Sequence, residues 1–206
     1  MKKTLTHTEA IEVISPDGSV NIGGSQEWYR TVRQQRSGCG PTAASGVMWY
    51  LSKTRPRLAA LCAAADNAQS SFLTLMETMF GYVTPGRGGV NTTAIFTHGA
   101  ERYGADLGVP LQTHTQEIST FRKLRPTLEA LREFLLNAIE SDLPVAFLNL
   151  SSGSLKNLDN WHWVLIIGLD PDSMMATICD QGKFWDIDIG KWLRTSFLGG
   201  GMVVVN

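Results

Sequence analysis

The sequence predicts an α+β fold, and three observations predict it. Apolar residues recur at helical spacing through the first two-thirds of the chain, as in Ala43, Val47, Tyr50 and Leu51, or Leu128, Leu131, Leu135 and Ile139. The last third carries short apolar runs instead, at 145–150, 161–169 and 174–180. Two of these runs are joined by Asp170-Pro171-Asp172-Ser173, a composition suited to a tight turn between antiparallel strands. Helices gathered ahead of an antiparallel sheet give α+β segregation rather than alternating βα units.

Length and charge narrow the field. A chain of 206 residues buries a substantial core as one domain, 1–206, with 1–29 as an N-terminal arm or hairpin. Lys+Arg 18 against Asp+Glu 19 leaves a net charge of -1, so no global field favours nucleic acid or an acidic membrane. The basic runs at 30–36 and 122–125 are short and read as solvated faces. Residues 1–7 lack the apolar core of a signal peptide, and the longest apolar run, 163–167, is too short to span a bilayer. Three cysteines, at 39, 62 and 179, cannot all pair and show no metal-ligand spacing. A reducing cytoplasm is the expected compartment, with no metal and no cofactor.

The elements follow in order. Ile11 and Val13, then Val20 and Ile22, flank Ser15-Pro16-Asp17-Gly18 as a hairpin, with Trp28 and Tyr29 anchoring this arm to the body. The stretch up to Gly38 reads as a loop, because Ser37, Gly38 and Gly40 break any regular period. A helix begins at Pro41, tolerated in a first turn where no N–H partner is lost. Residues 58–65 are Ala-rich and helical, which makes Cys62 a core residue. Ser70 or Ser71 caps a helix packed through Phe72, Met76, Met79, Phe80 and Val83. Thr84-Pro85-Gly86-Arg87-Gly88-Gly89 is a loop matching neither phosphate-binding fingerprint, and it suits the wall of a substrate cleft. A helix at 91–104 carries His98 as a surface or cap residue. Pro126-Thr127 starts the next helix and Leu143-Pro144 stops it. After the hairpin, 183–189 alternates with Trp185, Ile187 and Ile189 on one face. Asp188 or Gly190 opens a short helix at 191–197, and 202–205 closes as a strand.

The chemistry centres on Cys39. It stands at the mouth of the Pro41 helix, beside unpaired N–H groups and the positive end of the macrodipole. A thiol there has its thiolate favoured, and the thiolate is the nucleophile. The plain alternative is a small buried hydrophobe. A nucleophile also needs a base and an orienting group. His7 lies in an unanchored terminus, and His98 and His114 occupy polar helix or loop surroundings. His162 instead opens a strand between two indoles, Trp161 and Trp163. With a three-residue connection and Leu169 opposite Ser173, His162 faces Asp180 directly. A four-residue connection shifts the register and leaves the two diagonal or on opposite faces. Opposed, Asp180 fixes the tautomer and stabilises the imidazolium. Asp180 before Gln181-Gly182 reads equally well as a turn residue. A metal site built from Cys39, His162 and Asp180 lacks a fourth ligand.

Cys39-Gly40-Pro41-Thr42 at a helix start, a much later strand opening on His162 and a hairpin partner ending in Asp180 together resemble the papain-like fold. More narrowly, the chain is similar to bacterial cysteine peptidases related to the domain that processes bacteriocin leader peptides. The strand after Leu143-Pro144, and Asp186-Ile187-Asp188 before the final helix and strand, share that resemblance. It covers residues 30–205 in order of elements, and is specific at 34–45, 144–150 and 161–182. It implies Cys39 as nucleophile, His162 as general base and acid, and Asp180 as orienter. The family places an oxyanion-stabilising Gln six residues before its Cys. Arg33 stands there in this chain, with Gln34 and Gln35 next to it, and Gln34 is the nearer choice beside the Cys39 N–H. The implied activity is hydrolysis of a peptide or amide bond in a peptide or peptide-like substrate, through an acyl-enzyme. Acyl transfer uses the same residues, and a non-catalytic peptide-binding module is the competing class, favoured by the irregular Gln offset. Trp161, Trp163 and Trp185 line the cleft or fill the core.

Overall fold

The N-terminus is already part of the sheet. In the computed structural model, which describes residues 1–206, Lys3–Thr4 (β1) pairs antiparallel with Leu169 and Gly168. His7 is exposed, but its N–H donates to the Tyr50 hydroxyl, so this terminus is anchored rather than free. Glu12–Ile14 (β2) and Val20–Ile22 (β3) form the expected hairpin.

The chain ahead of Cys39 corrects the loop reading. Val32–Ser37 (α1) is helical, nucleated at Thr31, whose hydroxyl accepts from the Gln34 N–H while donating to the Gln34 side-chain oxygen. Gly38 then serves both as its end and as the start of Cys39–Thr54 (α2), which is buried almost throughout. Residues 58–65 are not an α-helix. A 3-10 turn covers Pro56–Leu61, and Cys62 is half-buried at its end. Gln69–Tyr82 (α3) has Ala68 at its cap position, two and three residues ahead of the serines expected there. Thr93–Asp106 (α4) follows, with His98 exposed.

Thr113–Ile118 (β4) is a strand with no apolar alternation, holding a single buried residue, Ile118, and carrying exposed His114. Its backbone is satisfied by Gly200–Val205, not by burial of its side chains. Leu128–Glu140 (α5) is capped by the Thr127 hydroxyl and buries Leu131, Leu135 and Ile139, as its spacing predicts. Val145–Asn149 (β5), His162–Asp170 (β6), Met175–Asp180 (β7) and Lys183–Asp188 (β8) come next. Ile189–Thr195 (α6) is capped by Asp188, and Gly200–Val205 (β9) closes the chain.

The result is an α+β molecule on a seven-stranded antiparallel sheet ordered β4-β9-β5-β6-β7-β8, with β1 added to β6. Helices cover both faces. Ala146, Leu148, Trp163 and Leu165 enter one core with α2, α3 and α4. Val145, Phe147, Val164 and Ile166 enter the other with α5 and α6. Burial on both faces explains why β5 and β6 read as continuous apolar runs. No helix is long and apolar enough to cross a membrane.

The β6–β7 connection is the four-residue one, 171–174 between paired Asp170 and Met175, and not the three-residue one that would set Leu169 opposite Ser173. Asp170 pairs with Met175, but Leu165 pairs with Cys179, because a bulge between Ile166 and Gly168 shifts the ladder by one residue. The core records the same change of phase: Ile167 enters the first core and Leu169, two residues on, the second.

Candidate active site

Cys39 is the first residue of α2, so its N–H has no acceptor within that helix. Its two glycine neighbours hold it by close approach. A Cβ on Gly38 would lie 2.4 Å from the Tyr29 ring, and one on Gly40 would lie 2.7 Å from the Val90 side chain. Tyr29 is fully buried and donates to the Met76 carbonyl. Val90 is held by Trp163, whose Nε1 donates to its carbonyl at 2.5 Å while the indole stacks on Phe96.

His162 opens β6 opposite fully buried Asn149. The Asn149 amide donates to the Asp159 carbonyl and its oxygen accepts from Trp192 Nε1 at 2.7 Å, which ties down the segment leading into the histidine. His162 Nε2 meets Asp180 Oδ1 at 2.8 Å, with both side chains about nine-tenths buried. They sit diagonally rather than directly opposed. Extended unchanged from the turn, the Asp170–Met175 register would send them to opposite faces. The bulge restores the parity, so His162 continues the Val164–Ile166 row and Asp180 the Ala176–Ile178 row, which share one core.

Burial works against the imidazolium. The hydrogen bond to Asp180, the contact with Cys39 and the charges of both outweigh it, raising the His162 pKa to about 10. With Nε2 engaged by Asp180, Nδ1 is the ring nitrogen left for the sulfur. The backbone on either side of this pair is left-handed, φ 55 at Trp161 and φ 48 at Gln181, which costs a non-glycine residue about 1 kcal/mol each.

Gln34 and Gln35 do not reach the sulfur's surroundings. Gln34 is bound to Thr31 in the α1 cap, and Gln35 Nε2 donates to the Glu27 and Tyr29 carbonyls. A different glutamine lies there. Gln26 lines a recess with Cys39 and His162, and its side-chain oxygen is buried without a partner. The N-terminal hairpin delivers it: Ile22 N–H donates to the Gly182 carbonyl and Gly182 N–H to the Gly24 carbonyl, beside Asp180. Counting back along an assumed loop misses Gln26, because α1 folds six of the intervening residues into a helix. The available signal was Thr31 with Gln34, a capping-box spacing that marks a helix start.

Of the three tryptophans considered, Trp163 is buried, Trp185 donates to the Asn157 carbonyl away from Cys39, and Trp161 alone borders the Cys39 cleft. That cleft has a volume of about 980 Å³, and the loop from Pro85 to Gly89 forms one wall of it. No three His, Cys, Asp or Glu side chains are grouped to hold a metal ion. Chemically, the arrangement offers an accessible sulfur, a basic imidazole oriented by a carboxylate, an unclaimed amide and an open cleft. No protein-family model matches the chain, and no curated protein matches it.

Proposed function

We propose that this protein is a papain-like cysteine hydrolase that cleaves a peptide or amide bond, similar to the bacterial cysteine peptidases related to the leader-processing domain. The observation that carries the reading is the buried 2.8 Å contact of His162 with Asp180, beside a cysteine at the first turn of a buried helix. The Cys39 thiolate attacks the scissile carbonyl, forming the C–S bond. The Cys39 N–H and the Gln26 side-chain amide, rather than Gln34, receive the oxyanion. His162 Nδ1 gives its proton to the leaving amine as the C–N bond breaks, and then takes one from the water that releases the acyl group. Asp180 keeps the ring in one tautomer throughout. Three unpaired cysteines suit a reducing compartment, and the cytoplasm is the proposed location.

Labelling with an epoxysuccinyl probe tests the reading. A single adduct located on Cys39 by mass spectrometry, and absent from His162→Ala, is the expected result. Equal labelling of the Cys39→Ala variant overturns it.

A further inference from the structure

The large cleft beside Cys39 has a one-sided charge. Arg33, Arg36 and Arg87 line it, and no Asp or Glu does. None of the three guanidinium groups is in an ion pair or a side-chain hydrogen bond, a state they share with exposed Arg57, Arg122 and Arg194, and what sets them apart is their convergence on one cleft. Arg33 and Arg36 are one turn apart on α1 and share a face. Arg87 comes from the other wall, at the tip of a turn closed by reciprocal Gly86–Gly89 backbone bonds. Val90, Leu148 and Leu150 also line the cleft and are apolar. Asp159 borders the smaller recess on the histidine side, which shares Arg36, Cys39 and Trp161 with the cleft, so Arg33 and Arg87 are the two cations that line the cleft alone.

We infer that the peptide bound beside Cys39 carries a carboxylate, held between the α1 arginines and Arg87, next to an apolar residue on the cleft's floor. Cationic walls with no internal counter-charge lack a partner until an anion enters, and a guanidinium fork matches a carboxylate in two parallel hydrogen bonds. An acidic side chain or a free C-terminus supplies the same group. This inference rests on the hydrolase reading, since it places the ligand by its distance from the sulfur.

The test measures protection of Cys39 from iodoacetamide by three acetylated pentapeptides in low salt. One is neutral and amidated, one is amidated with a glutamate, and one has uncharged side chains and a free C-terminal carboxylate. A carboxylate peptide is expected to protect at about tenfold lower concentration than the neutral amide, and the advantage should vanish in the Arg33→Gln, Arg36→Gln, Arg87→Gln triple variant. Which carboxylate peptide protects identifies the source. No advantage, or one that survives the triple substitution, overturns the inference and leaves the hydrolase reading standing. If wild-type Cys39 reacts no faster than Cys62, the hydrolase reading falls first and the inference with it.

Discussion

The indole Nε1 of Trp163 donates to the carbonyl of Val90, and through that bond the strand bearing His162 and the helix bearing Cys39 share one fixed point. Val90 in turn fills the space that a side chain at residue 40 would take. The chain of contacts runs from His162 to its neighbour Trp163, across to Val90, and back through Gly40 to Cys39. Trp163→Phe keeps an aromatic ring on Phe96 but removes the donor, leaving a carbonyl on a buried residue unpaired. A loss of about 1–3 kcal/mol in urea unfolding is expected, with a several-fold drop in the reactivity of Cys39.

Alkylation should rank the three thiols. Cys39 borders the open cleft beside a basic imidazole, Cys62 lacks such a neighbour, and Cys179 is buried with its thiol pKa pushed up by that burial. Iodoacetamide at pH 6–7 should therefore modify Cys39 first and Cys179 last, as read by peptide mapping. His162→Ala should slow Cys39 at least tenfold. Unchanged kinetics in that variant would remove the ring from the mechanism.

Asp180→Asn should change how stability depends on pH. Because the folded His162 pKa is raised to about 10 from an ordinary 6.5, the pair stabilises the fold fully below about 6.5 and loses that contribution as pH climbs through 10. The urea midpoints of wild type and Asp180→Asn should lie furthest apart at the lower end of this window and converge above it. The imidazole NMR titration of His162 should move down from about 10 toward 6.5 in the variant. A gap that stays constant across the window would mean that the folded ring is neutral.

Gln26 and Gln34 should separate catalysis from stability. Gln26→Ala is expected to slow acylation by p-nitrophenyl acetate about a hundredfold, the typical cost of one oxyanion donor. Gln34→Ala keeps the N–H that the Thr31 hydroxyl caps, removes only that hydroxyl's side-chain acceptor, and should show itself in unfolding alone, by about 0.5 kcal/mol. The reverse assignment of effects would return the oxyanion role to Gln34.

Three features of the α+β class were legible for different reasons: α5 buries a periodic apolar face, β6–β7 reads as continuous apolar runs because both faces are covered, and the β2–β3 hairpin shows through its turn residues, since Val20 and Ile14 stay exposed. What escaped was held together by other means. β4 is paired through its backbone and keeps polar side chains, so no alternation announces it. Residues 32–37 form a helix through a polar cap rather than a hydrophobic stripe. Residues 58–65 carry helix-favouring alanines, yet the chain leaves helical geometry after the 3-10 turn. At the candidate site, Cys39, His162 and Asp180 were found from their elements, but Gln26 was not. A residue thirteen positions before the cysteine is brought beside it by a hairpin docking on a turn some 160 residues away, a relationship that no local spacing records.

The irregularity in β6 makes the histidine–aspartate pair sensitive to chain length in a particular way. Inserting or deleting one residue between them without a compensating slip turns the carboxylate toward the opposite core, whereas changing two at once preserves its side. Variation in this hairpin is therefore constrained to even steps, and the extra residue near Ile167 is as much a part of the site as the side chains it aligns.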